Sequence, residues 1–290
     1  MSNYAPSSET HGPPRRRPAK GLYLLPSIFT AGNMAAGYYA ISQAIQGTAN
    51  DPWHFDQAAK ALGIAIVLDF CDGLIARATN TASAFGKELD SLADVITFGV
   101  APAVLALMWG FRMLPQGIGP GLRMRVVQLG AIASFVFLLA GASRLARFNI
   151  QTNPQPSNPG RPDRKYFVGM PIPAAAGSIA AVVHLINGNP LQTWWLSIGW
   201  AVYMFAIAFL MVCTWRFFSF KGINFRQPQN FRWLIAMGAI IALIFFSSEY
   251  VLFALALVYI LSGVLARLWF VLRRSSLPPP PPRQDEASHA

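Results

Sequence analysis

Four aspartates stand close together in the stretch DFCDGLIARATNTASAFGKELDSLADVITFG: Asp69, Asp72, Asp90 and Asp94. On helical segments, Asp69, Asp72 and Ala76 share one face by i, i+3, i+7 spacing, with Gly73 beside them. Gly86, Asp90 and Asp94 share another face by i, i+4, i+8 spacing. The link between the two segments is short, so they pack as antiparallel neighbours and their carboxylate faces can converge. Four ionised carboxylates repel one another, and something positive must compensate them. An all-oxygen donor set suits Mg²⁺ or Mn²⁺ rather than zinc. Two such ions can clamp both the attacking and the leaving oxygen of a phosphoryl displacement. Arg77 adds a planar fork that fits a phosphate. Gly73 and Ala76 let a nucleotide lie against the helix backbone, and Gly86 lets the second helix approach the first or leaves room for ligand.

These carboxylates sit in a chain built for lipid. Of its 290 residues 54% are hydrophobic and 12% are charged, against about 25% charged in soluble domains. Apolar runs of roughly 20 residues recur, the length that crosses a hydrocarbon core about 30 Å thick. An ionised aspartate at that depth costs roughly 2.5–3.5 kcal/mol. The plainer readings are that small residues pack helices and that a lone intramembrane aspartate pairs with a base. Four aspartates at these spacings, with an arginine between the pairs, fit neither.

The expected fold is all-α, a polytopic membrane bundle of about eight transmembrane helices with both termini cytoplasmic. The spans run roughly 24–46, 57–78, 89–110, 126–147, 169–187, 192–213, 231–248 and 250–272. A disordered basic tail (1–21) precedes the membrane domain (22–274), and a Pro-rich disordered tail (275–290) follows it. The polar start of the chain has no cleavable signal peptide. Orientation follows from loop charge. Lys and Arg mark the N-terminal tail, the 77–88 turn, the 144–165 loop, the 215–232 loop and the C-terminal end. The connections near 47–56, 188–191 and 248–249 carry none. The 111–125 loop breaks the rule with Arg112, Arg123 and Arg125. The net charge of +11 sits at segment ends and in the tails, so it points to anionic membrane lipid and not to nucleic acid. Cys71 and Cys213 form no metal or disulfide pattern, and His184, on an apolar helix, reads as packing.

The string D-x-x-D-G-x-x-A-R-x8-G-x3-D-x3-D is satisfied at every fixed position by Asp69, Asp72, Gly73, Ala76, Arg77, Gly86, Asp90 and Asp94. It resembles the signature of the CDP-alcohol phosphatidyltransferase family. Further stretches, LPSIFTAGNMAAGYYAI, DSLADVITFGVAPA, ASRLARFNI and FVGMPIPAAAG, resemble the bacterial-type phosphatidylserine synthases within it. One position departs: Ser27 stands after Pro26 where the family usually has Asn, while Thr30 and Asn33 remain in place.

The resemblance implies a membrane enzyme at the inner membrane, with its active site facing the cytoplasm. It would transfer the phosphatidyl group of CDP-diacylglycerol to the hydroxyl of L-serine and release CMP. Asp69, Asp72, Asp90 and Asp94 would hold two divalent ions, Mg²⁺ or Mn²⁺, and Asp94 would act as general base. Gly73, Ala76, Arg77, Ser83, Gly86, Thr30 and Asn33 would bind CDP-diacylglycerol. Arg144, Arg147 and Asn149, at the end of the fourth helix, are candidates for serine, although the positive-inside rule also accounts for the arginines. The resemblance further implies a homodimer. The same transfer to glycerol 3-phosphate, inositol or choline keeps the signature, which reads only the CDP donor. A divalent-cation transporter would need carboxylates on several distant helices, and the last four spans offer only Glu249 at an outer end. An aspartate-rich prenyltransferase would carry different acid motifs.

Overall fold

Small residues set the first contact of the fold. Helix α1 (Leu24–Gln46) lies along α2 (Trp53–Thr79), and Ala40 and Ala44 of the one meet Ala58, Ala61, Leu62 and Ala65 of the other in the buried core. Lipid tails supply no hydrophobic drive between helices, so close approach and dispersion must hold them together. This computed structural model describes residues 24–79, 84–115, 117–152, 166–218 and 231–274. Both expected tails lie outside the described residues.

The third apolar run is one long rod with two irregular turns in it. Helix α3 (Ala84–Asp94) leads into a π-helical turn, Val95–Val100, then α4 (Ala101–Leu107) and a second π-helical turn, Met108–Arg112. Pro102 at the start of α4 explains the first, because it has no N–H for the preceding turn. The Ala101 N–H instead reaches back five residues to the Ile96 carbonyl. The extra residue rotates the helix between Asp94 and α4, and points Thr97 into α1. There the Thr97 hydroxyl donates to the Asn33 carbonyl at 3.2 Å. The approach needs Gly37, since a Cβ there would stand 2.5 Å from Thr97 Oγ1 and 2.9 Å from its Cα. Around the second irregular turn, Ser197 donates to the Gly110 carbonyl at 2.7 Å and Trp200 to that of Ala106 at 3.3 Å. Both donors come from α7 (Trp194–Val212), which also packs on α5 (Pro120–Thr152).

Helix α6 (Ile172–Leu185) is short, apolar and largely buried against α2 and the last helix of the chain. Helix α8 (Phe231–Arg274) is broken at Ser247, whose φ of −153° and ψ of 60° are not helical. The two last expected spans are thus the two arms of α8. Among the described residues, four helical stretches are long and apolar enough to cross a membrane: Phe85–Arg112, Pro120–Ile150, Trp194–Val212 and Phe246–Trp269. The protein is a helical membrane protein.

One small feature departs from an all-helix reading. Strands β1 (Tyr166–Val168) and β2 (Arg216–Phe218) form an antiparallel pair, with Phe167 opposite Phe217. They follow α5 and α7, whose C-terminal ends therefore lie at the same end of the bundle. Gly169, at φ +78°, turns the chain beside them, and its N–H donates to the Trp215 carbonyl at 2.9 Å. A Cβ at Gly169 would meet the Met211 carbonyl oxygen at 2.4 Å.

Candidate active site

The antiparallel pairing of α2 with the start of the third rod brings the aspartates together. Carboxylate oxygens of Asp69, Asp90 and Asp94 lie within 4.8 Å of one another. Asp72 stands beside them but is held differently: Thr30 of α1 donates to its Oδ2 at 2.5 Å. Asp72 and Thr30 are both buried. Asp94 Oδ1 is buried without a hydrogen-bond partner. An oxygen-only cluster that keeps an unpaired carboxylate oxygen fits a hard divalent cation, which takes such ligands in preference to nitrogen or sulfur.

α1 forms one wall of the site. Thr30 and Asn33 lie one turn apart, and Asn33 is buried with neither side-chain atom paired. α5 forms another wall. Arg144 is buried there, its guanidinium 5.3 Å from the Phe148 ring centre, near Tyr259 of α8 and close enough to Asp94 for their charges to interact. The other two serine-binding candidates are engaged elsewhere. Arg147 donates to the Val212 carbonyl at 3.0 Å, the natural place for a cation at a helix C-terminus. Asn149 donates to Ser91 Oγ at 2.8 Å, and Ser91 donates to the Lys87 carbonyl at 3.0 Å. That chain ties the end of α5 to α3 beside Asp90. Gly73 and Gly86 are half-buried on α2 and α3. Ala76 and Arg77 lie on α2 with their side chains outside the described residues, and Ser83 is outside them altogether.

A second buried polar cluster lies at the other end of α2, 13 residues or about 20 Å from Asp69. Asp56, in the first turn of α2, accepts from His184 Nδ1 at 2.5 Å and from Lys60 at 2.7 Å. His184 Nε2 stands 2.9 Å from Ser248 Oγ, just past the break in α8. Gly188, at φ +73°, seats the end of α6 here, where a Cβ would meet the Pro52 carbonyl oxygen at 2.3 Å. His184 is buried as expected, but it links three helices rather than merely filling space. Sequence reasoning also missed Thr97 and Tyr259. Thr97 follows Asp94 by 3 residues, one helical turn, and that spacing is the signal that could have found it.

The sequence model of the CDP-alcohol phosphatidyltransferase family matches residues 23–215. The chain belongs to that family. It is 32% identical over 262 residues to a CDP-diacylglycerol–serine O-phosphatidyltransferase of Helicobacter pylori, covering 88% of this chain and 96% of that one. A Bacillus subtilis protein of the same name is 30% identical over 209 residues, covering 72% of this chain and 98% of that one. The namesake from Saccharomyces cerevisiae is 34% identical over 156 residues, 53% of this chain and 51% of that one. The matched region of the family holds every aspartate of the cluster, together with Thr30, Asn33 and Arg144.

Proposed function

We propose that the protein is a phosphatidylserine synthase, which moves the phosphatidyl group of CDP-diacylglycerol onto the hydroxyl of L-serine and releases CMP. The observation that carries this reading is the convergence of Asp69, Asp90 and Asp94 within 4.8 Å, in a family whose signature reads a CDP-activated donor. The names of the relatives supply the acceptor.

Asp69, Asp72, Asp90 and Asp94 would hold two divalent ions, Mg²⁺ or Mn²⁺, which when bound would neutralise the diphosphate and its leaving oxygen. Thr30 fixes the Asp72 carboxylate by its hydrogen bond. Gly73 and Ala76 leave the backbone of α2 open to the nucleotide, with Gly86 opposite, Arg77 on a phosphate oxygen and Ser83 as a further contact. Asp94 takes the proton from the serine hydroxyl. The serine oxygen then bonds to the phosphorus that carries diacylglycerol, and the bond from that phosphorus to the CMP oxygen breaks. Arg144, beside Asp94, offers the guanidinium that the serine carboxylate needs. We place the bundle in the inner membrane as a homodimer of eight-span subunits, with termini and active site on the cytoplasmic side. The Lys and Arg of the 144–165 and 215–232 stretches support that orientation, which also sets them against anionic lipid.

The test uses purified protein in detergent with CDP-diacylglycerol and Mn²⁺ or Mg²⁺. CMP release is followed with L-serine, glycerol 3-phosphate, inositol or choline supplied separately. Release with serine alone, lost in Asp94→Asn, is the expected result. Release with another alcohol would keep the family and change the acceptor. Release with none, from folded protein, would overturn the reading.

A further inference from the structure

Among the described residues, Asn33 is the one buried side chain beside the aspartates whose amide has nothing to bond. Its exposure is 1%, and neither Nδ2 nor Oδ1 has a hydrogen-bond partner. Native proteins leave few such groups, and each needs a reason. The main chain of Asn33, by contrast, is fully engaged. Its carbonyl accepts the Thr97 hydroxyl in addition to its place in α1. Thr30, one turn away on the same face, is bonded to Asp72. Asp94, one turn before Thr97 on the facing rod, also has a buried oxygen without a partner. Had the two orphans been in reach, Asn33 Nδ2 would donate to Asp94 Oδ1. Both side chains therefore keep hydrogen-bonding capacity that a ligand with a donor and an acceptor would meet.

The direction of the reaction says which ligand. Gly73 and Ala76, against which the proposed function sets the nucleotide, follow Asp72 toward the C-terminal end of α2. α1 runs antiparallel to α2, so Asn33 lies one turn farther from that end than the Thr30–Asp72 bond. In-line displacement needs the attacking oxygen on the side of phosphorus opposite the leaving nucleotide. With the nucleotide toward the C-terminal end of α2, the attacking alcohol arrives on the side of Asn33 and Asp94.

We propose that Asn33 determines specificity for the acceptor, its Oδ1 accepting from the ammonium group of an amino-acid alcohol and its Nδ2 donating to the carboxylate. The inference rests on the phosphatidyl-transfer reading above and assigns Asn33 to the acceptor instead of the lipid donor. An amide offers one acceptor and one donor side by side, which matches the adjacent ammonium and carboxylate of a zwitterion. Inositol and glycerol 3-phosphate have no ammonium, and choline's has no proton to donate.

The test compares full-length wild type, Asn33→Leu and Asn33→Ser in detergent. It measures KM for L-serine, KM for CDP-diacylglycerol, and the binding of Mn²⁺ and of CMP in the absence of any acceptor. A second acceptor, 3-hydroxypropionate, keeps the hydroxyl and carboxylate but lacks the ammonium. The expected result is a serine KM raised about 10- to 100-fold in Asn33→Leu. Mn²⁺ and CMP binding stay at the wild-type level, which also reports a folded site. The preference for serine over 3-hydroxypropionate shrinks by a smaller factor, the share of the ammonium contact alone. Weakened Mn²⁺ or CMP binding with an unchanged serine KM would assign Asn33 to metal or donor and overturn the proposal. If Asn33→Leu does not fold, the same comparison in Asn33→Ser decides. A wild-type enzyme that ignores serine would remove the underlying reading and this proposal with it; a serine-using wild type with an unaffected variant would remove the proposal alone.

Discussion

The two ends of α2 carry polar clusters built on opposite principles. At its start, Asp56, His184, Lys60 and Ser248 bond to one another, so that both carboxylate oxygens and both ring nitrogens have partners. Near its other end, Asp69, Asp90 and Asp94 crowd together, and Asp94 Oδ1 and the Asn33 amide go without. Burial is similar in kind, and the chemistry differs in completeness. A closed network fixes helices, because every member loses a partner if one moves. An open one holds unmet hydrogen-bonding capacity for something that arrives. The difference separates a structural polar cluster from a working one more sharply than the count of charged residues does.

The largest expected effect tests the open end. Chelation with EDTA should abolish CMP release, and added Mg²⁺ or Mn²⁺ should restore it; activity that survives exhaustive chelation would sever the cluster from the chemistry. Next, Asp94→Asn should lower kcat about 10³-fold with no loss of thermal stability, because it relieves repulsion. The closed end should answer the other way. His184→Ala leaves Asp56 with Lys60 alone and should lower stability by about 3 kcal/mol, read by denaturation in detergent, with unchanged turnover per folded molecule. A loss of turnover from folded His184→Ala protein would break the comparison. Thr30→Val removes a hydrogen bond to a charged group and should lower kcat/KM about 10-fold, with Thr30→Ser close to wild type. Smallest of all, Ser248→Ala should cost about 1 kcal/mol of stability and leave turnover alone.

The aspartates were legible because helical periodicity alone places Asp69 with Asp72 and Asp90 with Asp94. Their partners were less so. Thr30 reaches Asp72 across 42 residues and His184 reaches Asp56 across 128, separations at which spacing carries no geometric information. The irregular turn at Val95–Val100 hid inside an apolar run, because hydropathy does not register one extra residue per turn. Pro102 was the available clue. The β1–β2 pair formed between two loops rich in charge and turn residues, where no period exists to be read. The ends of α1 and α7, and the gap that became a break at Ser247, came close because lipid sets their length, whereas α5 runs past the expected 126–147 at both ends.

Gly37 shows how far from the chemistry a requirement of the chemistry can sit. It touches no aspartate, yet its missing Cβ is what lets α1 lie against Thr97. Thr30 is 7 residues away on the same helix, about 10 Å along its axis. Whatever tilts α1 at Gly37 moves Thr30 relative to Asp72, and Asn33 between them. A survey of single substitutions scored only by product formed would count this glycine among the residues that perform the reaction. Its contribution is architectural, and activity alone would misreport it.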